Sequence, residues 1–517
     1  MADRSPFPIF GHGLTLARVA EIIAGNANIS LAPEAAERVA ASRAAVERVQ
    51  SSDRPLYGIN TGFGILANQR IASADTEKLQ ENLILSHAVG VGDEMPREIV
   101  HLMLLLKVNA LAIGLSGVSL ELIEYLIRFF NGRVTPVIFT KGSLGASGDL
   151  APLAHLTLAL LGREEVWLED RRMTAQEALA HLGLAPLKLK SKEGLALING
   201  TQFMLAYAVH CLFRIIDLLK TADLAATMTL EALRGSASPF HAGLHEARPH
   251  RGQIQTAENL RRILADSQIL PSHADCRRVQ DPYSLRCVPQ VHGAIREAAR
   301  HAQQIVETEI NSVTDNPLVF PDGEVVSGGN FHGEMLALVL DYLAIATAEL
   351  ASISERRLYL LLGGDTVPND KKVPTFLMRD TGLNSGFMVP QYTAAALVSE
   401  NKVLAHPASV DSIPSSLGQE DHVSMGATSA TKLLEIVKNT ETVIAIELMS
   451  AAQALDFIHP LLAGKGVEAA HREIRKKISF ADMDRIFVHD IAAALTLVRS
   501  RDLIRAAEEA IGPLHGV

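Results

Sequence analysis

Cysteine is scarce in this chain. Cys211, Cys276 and Cys287 are the only three in 517 residues, which argues against a disulfide framework and for a reducing, cytoplasmic setting. Their spacing fits no zinc motif. Aromatic residues are only 5%, so Ala and Leu dominate the apolar content and favour helix. Long basic clusters are lacking and the formal net charge is −10, which argues against nucleic acid or an anionic membrane as a partner. The opening MADRSPFPIFGHG has no apolar stretch after Asp3 and Arg4, so it is not expected to be a secretory signal. The most apolar runs, residues 102–115 and 358–362, are short or interrupted by Lys107, and no membrane span is expected. Against these absences, 48% hydrophobic and 21% charged residues suffice for a large buried core. The length suggests two or three domains.

One stretch organises the rest: GSLGASGDLAPL, residues 142–153. Three glycines in seven residues give the backbone a freedom that packing alone rarely repays. An apolar helical run follows, with Pro152 in a first turn that tolerates it. The stretch reads as a tight loop feeding a helix N-terminus. At its centre, Ala146-Ser147-Gly148 has the residue types needed for backbone cyclisation. An unhindered Gly nitrogen in a sharp bend can approach the carbonyl carbon two residues back and close a five-membered ring. Loss of water from the ring and from the Ser147 side chain then leaves 4-methylideneimidazol-5-one, an exocyclic methylidene electrophile. Taken alone, Ala-Ser-Gly is a helix-capping turn.

Along the chain, helices are expected after Thr15 and Pro33 and over residues 79–87, 101–115 and 120–130. An extended arm over 134–140 leads to the Ala-Ser-Gly loop. A small hairpin and a helix near 174–182 follow, then a long helical stretch from about 202 to 233. Residues 235–286 are irregular, with a helix near 257–264. Long helical patterns then cover 291–311, 335–362 and 421–457, the last with a break expected near Asn439, and a further helix runs from 391 to 404. Runs of this length suggest a mainly α bundle of long helices. The expected organisation is a part over 1–200 carrying the loop, fused to a bundle and C-terminal helices over 201–517.

The full GSLGASGDLAPLAH string closely resembles the signature of the aromatic amino acid ammonia-lyases, the family of histidine, phenylalanine and tyrosine ammonia-lyases and the related aminomutases. VQDPYSLRC, SGGNFHGE, LNSGFM, LAHPASVDSIPSS and QEDHVSMG resemble the histidine-specific members, and the resemblance runs from about Leu14 to about Ile491. It implies a mainly α, long-helix bundle of the ammonia-lyase and fumarase-like type. It also implies a homotetramer whose active sites draw on three chains, and an electrophile made from Ala146, Ser147 and Gly148 in place of a dissociable cofactor or metal.

Site residues follow from the matching motifs. Tyr57, in YGINTGFG, takes the place of the family's catalytic base. Its phenol must lose its proton more readily than usual or act as a relay, with Arg286 or helix N-termini as candidate sources of positive charge. Asn199, in NGT, corresponds to the asparagine that touches ring and substrate. By itself it reads as a helix cap. Arg286, in YSLR, matches the clamp on the substrate carboxylate. Tyr283 is similar to the second active-site tyrosine, and Gln280 shares the motif. Asn330 and Phe331, in SGGNFHGE, resemble the pair beside the prosthetic group. His87 resembles the selectivity position, and Glu420 matches the glutamate of histidine lyases. A carboxylate there accepts an imidazole N–H but is a poor neighbour for a phenyl ring. One departure stands out: Gly418 replaces an expected asparagine.

The implied reaction is deamination of L-histidine to trans-urocanate. The rival is the same machinery acting on tyrosine or phenylalanine, or running as a 2,3-aminomutase. A serine hydrolase lacks its second glycine around Ser147. A zinc helix built on His241, His245 and Glu246 fails because Pro249 stands where a ligand belongs, leaving these histidines as a polar loop surface. A helical scaffold without catalysis would not account for Tyr57, Ser147, Asn199 and Arg286 all standing in full motifs.

Overall fold

Thr15 ends an extended segment and its hydroxyl accepts from Arg18 N, which starts α1 (Leu16–Ala24). The computed structural model describes residues 5–50, 56–61, 71, 75–274, 278–363 and 373–517. They gather into two compact units. The first takes Met1–His210, Gln303–Asp341 and Pro407–Thr431; the second takes Cys211–Ala302, Tyr342–His406 and Lys432–Val517. Where the sequence places one boundary near residue 200, the division is discontinuous and falls inside four long helices.

In the first unit, β1 (Phe7–Ile9) pairs parallel with β2 (Ile29–Leu31). Pro33 opens α2 (Pro33–Gln50), where its fixed φ suits a first turn. Next come α3 (Thr76–His87), β3 (Val91–Glu94), α4 (Arg97–Ala112) and α5 (Leu120–Asn131). The arm expected over 134–140 is β4 (Val134–Pro136) and β5 (Phe139–Lys141). β4 joins the hairpin of β6 (Glu165–Leu168) and β7 (Arg171–Thr174), and β5 pairs with β3. Between them runs α6 (Leu150–Leu160), and after them α7 (Ala175–His181) and α8 (Glu193–Ile198). α4 and α5 pack together as an apolar core. α3, α6 and α8 pack on one another, and this trio positions the site.

α9 (Gln202–Ala232) begins in the first unit and ends in the second. In the second unit, α10 (Ala242–Glu246), α11 (Arg251–Ile263) and α12 (Tyr283–Arg286) occupy the irregular stretch. Here His241 caps α10 through Nδ1, and His245 is buried, bonded to Pro239 O and Gln253. His245 is thus a packed core residue, not part of a polar surface. The long helices α13 (Val288–Ile310) and α14 (Glu334–Leu361) follow, with the short pair β8 (Leu318–Val319) and β9 (Val325–Val326) between them. Beyond these lie α15 (Met388–Leu404), α16 (Gly426–Asp456), α17 (Lys465–Lys477), α18 (Phe487–Ser500) and α19 (Asp502–Ile511).

The break expected near Asn439 is absent. α16 runs unbroken because the Asn439 amide donates to Glu400 Oε2 at 2.8 Å and Asn401 Oδ1 at 3.0 Å on α15, so it does not compete for its own helix backbone. α9 and α14 are each long and apolar enough to cross a membrane by length and composition. However, 72% of each apolar window is buried in the protein, as in core helices.

Candidate active site

The Ala-Ser-Gly loop is held as a turn by contacts on both sides. Gly148 N donates to Gly145 O at 3.1 Å, closing the turn over Ala146 and Ser147. Ser147 sits at φ +50°, a left-handed conformation that costs a residue with a Cβ. The next strand of backbone locks it there. Gly200 N donates to Ser147 O at 3.1 Å, and Asp149 N donates to Gly200 O at 2.8 Å. Gly148 lies at φ +81°, and a Cβ on it would stand 2.2 Å from Gly200 O, so only glycine fits. Gly145, at φ +96°, is similarly covered by Ser424, and Met425 N donates to Leu144 O.

Asn199 is the C-cap of α8, so the cap expected at the start of the next helix is not its role. Its amide donates to Asp315 Oδ1 at 3.2 Å and to Asn316 O at 2.8 Å, while its own Oδ1 is buried with no hydrogen-bond partner among the described residues. A buried carbonyl oxygen left unmet is costly, which makes Asn199 Oδ1 a candidate acceptor for a ligand. The triad therefore fits the expected ring: Ser147 and Gly148 are held in a bend that only Gly148 permits, beside an orphaned acceptor.

Tyr57 is half-buried in a turn over residues 57–60. The turn is pinned to α8: a Cβ on Gly58 would strike Leu195, and Ser191 Oγ donates to Ile59 O. Residues 62–64 of the YGINTGFG motif lie outside the described residues. His87 ends α3, half-buried, with Nδ1 2.8 Å from Leu83 O. A carbonyl only accepts, so Nδ1 carries the proton and Nε2 is left as an acceptor. Burial lowers the pKa of this imidazole and favours its neutral form.

Asn330 is exposed, its amide on Val313 O, and Phe331 is half-buried beside it. Glu420 is half-buried, and its Oε2 has no partner among the described residues. Its backbone closes the 415–420 turn, with Ser415 N donating to Glu420 O. Gly418 stands at φ +90° within that turn, and nothing lies within 4 Å of a Cβ placed there. The missing asparagine thus leaves no hole, and glycine relieves a left-handed turn that Ser416 and Leu417 already share.

Helix starts converge on this region. A Cβ on Gly333, just before α14, or on Gly426, the first residue of α16, would meet both Met204 on the first turn of α9 and Ser424. The positive ends of three helices favour negative charge nearby.

Gln280, Tyr283 and Arg286 belong to the second unit, whereas Tyr57, Ser147, Asn199 and Glu420 belong to the first. The Arg286 guanidinium lies 4.7 Å over the Tyr283 ring. Its Nε is buried without a partner among the described residues. Arg286 and Gln280 line a cavity of about 390 Å³ with Ser236, Asp281 and Gln290.

Asp149, Lys107, Lys192 and Asp315 are buried charged residues that no sequence motif singles out. Asp149 precedes α6, yet its Oδ2 accepts from Phe203 N at 3.1 Å and Met204 N at 3.0 Å, capping α9 instead. Burial pushes its carboxyl up to about 7. Lys107 is fully buried on α4, and burial lowers its ammonium to about 7. Lys192 Nζ pairs with Asp315 Oδ2 at 2.7 Å. The one signal in the sequence was Lys107 itself, a charge in an otherwise apolar run.

A family profile described as aromatic amino acid lyase matches residues 14–476. The chain belongs to the aromatic amino acid lyase family. Among relatives of this lyase, the histidine ammonia-lyase of Myxococcus xanthus is 50% identical over 503 residues, covering 97% of this chain and 98% of that one. Among solved structures, the histidine ammonia-lyase of Trypanosoma cruzi is 41% identical with a TM-score of 0.89, covering 98% of this lyase and 96% of that chain. The tyrosine aminomutase of Streptomyces globisporus superposes with a TM-score of 0.92 at 33% identity, covering 98% and 99%.

Proposed function

We propose that this lyase removes ammonia from L-histidine to give trans-urocanate. The observation that carries the reading is the unpartnered, buried Oε2 of Glu420, in the unit that holds Ser147 and Asn199. An imidazole N–H satisfies that oxygen, while a phenyl ring leaves it desolvated and unpaired. The names of the relatives point the same way. The superposition on tyrosine aminomutase keeps the rival alive at the level of fold, and the Glu420 environment speaks against it.

The ring formed from Ala146, Ser147 and Gly148 would supply an electrophilic methylidene for the substrate amine. Around it, Tyr57 Oη takes the proton from the substrate Cβ as the Cα–N bond breaks. Ammonia leaves and the Cα=Cβ double bond forms. Arg286 clamps the carboxylate, with Tyr283 and Gln280 beside it. Asn199 Oδ1 accepts from the reacting groups, and Asn330 and Phe331 wall the ring. His87 Nε2 and Glu420 hold the imidazole. No dissociable cofactor or metal enters this scheme.

The active unit is proposed to be a homotetramer. Met335, Leu338, Tyr342 and Ile345 form an exposed apolar stripe along α14, at the 3-4 spacing that packs helices together. Free thiols at Cys211 and Cys287 fit a reducing cytoplasm.

The test is a panel of L-histidine, L-tyrosine and L-phenylalanine, followed by ammonia release and ultraviolet absorbance of the product acid. Histidine alone should turn over, and Ser147→Ala should drop that to background. Preferred turnover of tyrosine, or a β-amino acid product, would move the chain to the rival. Full activity in Ser147→Ala would end the ring-based reading.

A further inference from the structure

The face of α4 that carries Lys107 is otherwise apolar: Met103, Leu104, Ala110 and Leu111, three and four residues to either side, are all buried. An ammonium placed there loses several kcal/mol of hydration, and an unbranched apolar side chain of similar length fills the same space. The lysine is instead aimed at one backbone edge. Its Nζ lies 2.7 Å from Asn199 O and 3.3 Å from Gln202 Oε1. These residues flank Gly200, whose N–H and C=O grip Ser147 and Asp149 on either side of Gly148.

The far side of the edge is braced as well. Gln202 Nε2 donates to Thr314 Oγ1, and the Asn199 amide donates to Asp315, whose other oxygen is held by Lys192. Asp315, Lys192 and Asp149 are the charged groups facing Lys107. In its neutral form the amine has two N–H bonds for the two acceptors it touches, and with burial lowering it to about 7 that form is well populated. The brace is therefore satisfied without a full buried charge.

We propose that Lys107 is a positioning residue of the active site: its Nζ, bonded to Asn199 O and Gln202 Oε1, sets the Asn199–Gly200 edge against Ser147. The Ala146–Gly148 bend is thereby held for ring closure and the orphaned Asn199 Oδ1 is aimed. Lys107 touches neither ring nor substrate and acts through Asn199 and Gly200. The inference rests on the ring-forming assignment of Ala146, Ser147 and Gly148.

The test compares the full-length wild type with Lys107→Met and Lys107→Gln. Three quantities are measured: the mass of the peptide spanning residues 142–153, kcat and KM on L-histidine, and the thermal unfolding midpoint. Ring closure forms the Gly148 N–Ala146 C bond and expels the Ala146 carbonyl oxygen and the Ser147 hydroxyl as two waters, so it is read as mass, independently of turnover. The methionine variant should fold with a midpoint near wild type. A minority of its chains should lose both waters, and kcat per ring-bearing chain should fall about 10²-fold, the size of a misplaced reacting group. KM should change less than threefold. The glutamine variant, which keeps an N–H donor, should regain part of both losses.

If Lys107→Met closes its ring fully and keeps wild-type kcat, the lysine only fills space and the proposal is overturned. Should the methionine variant fail to fold, the glutamine variant decides by the same two readouts. A wild type that retains both waters would sink the ring assignment itself. That outcome is distinct from a wild type and a variant that both lose them.

Discussion

At the scale of single residues, the site is a set of polar atoms left without partners. Glu420 Oε2 and Asn199 Oδ1 are buried acceptors without a partner among the described residues, and both are proposed to accept from the substrate. Replacing Glu420 with Ala is expected to lower kcat/KM for L-histidine about 10- to 100-fold, as for loss of one charged hydrogen bond, with little change for tyrosine; steady-state kinetics on both substrates checks it. Replacing Gly418 with Asn is expected to leave the fold intact, because nothing lies within 4 Å of the added Cβ, and to cost about 1 kcal/mol or less for φ +90°; the unfolding midpoint reads this. Asp149 gives a pH dependence. Its carboxyl is raised from 3.8 to about 7 by burial, so the folded chain holds a proton that the unfolded chain has lost. This contribution to stability is present below 3.8 and is lost as pH rises to about 7. Lys107, lowered from 10.5 to about 7, acts oppositely, and its contribution grows as pH rises from about 7 to 10.5. Asp149→Asn is expected to flatten the fall below pH 7, measured as unfolding midpoint against pH.

At the scale of elements, short motifs set where helices begin, and tertiary bonds set whether they continue. Thr15 and Pro33 mark their helix starts in the sequence and do so in the structure. Thr174 is a fuller case: its hydroxyl accepts from Glu177 N while Glu177 Oε2 accepts from Thr174 N, a capping box on α7. Thr174→Ala is expected to cost about 1 kcal/mol locally, seen as roughly fivefold faster amide hydrogen exchange in α7. Asn439 could not be read this way. Its weak helix propensity suggests a break, but its amide reaches across to α15 and α16 continues. Asn199 likewise looks like an N-cap in sequence and proves to end α8, because Asp149 has taken over the amides at the start of α9.

At the scale of the molecule, the chain divides into two units that each draw on three separate segments. No sequence boundary announces such a division, because the long helices α9, α13, α14 and α16 pass through it. The stripe on α14 belongs to this scale. Leu338→Glu combined with Ile345→Glu is expected to shift the protein from the proposed tetramer to smaller species in sedimentation and to lower activity with it. Mixing Tyr57→Phe with Arg286→Lys during refolding is expected to restore part of the activity if one site draws on several chains.

The sequence by itself determined the helical class and the family, and it singled out the triad proposed to form the ring, because these rest on local chemistry: Ala, Ser and Gly at fixed spacing, and motifs matched residue by residue. Only the tertiary structure decided how Ser147 is kept at φ +50°, which oxygens are left unpaired and why a lysine lies under the site. Those depend on Gly200, Asp315 and Lys107, residues distant along the chain from Ser147. Burial gives each of their bonds a strength, and each buried charge a cost, that no local pattern records.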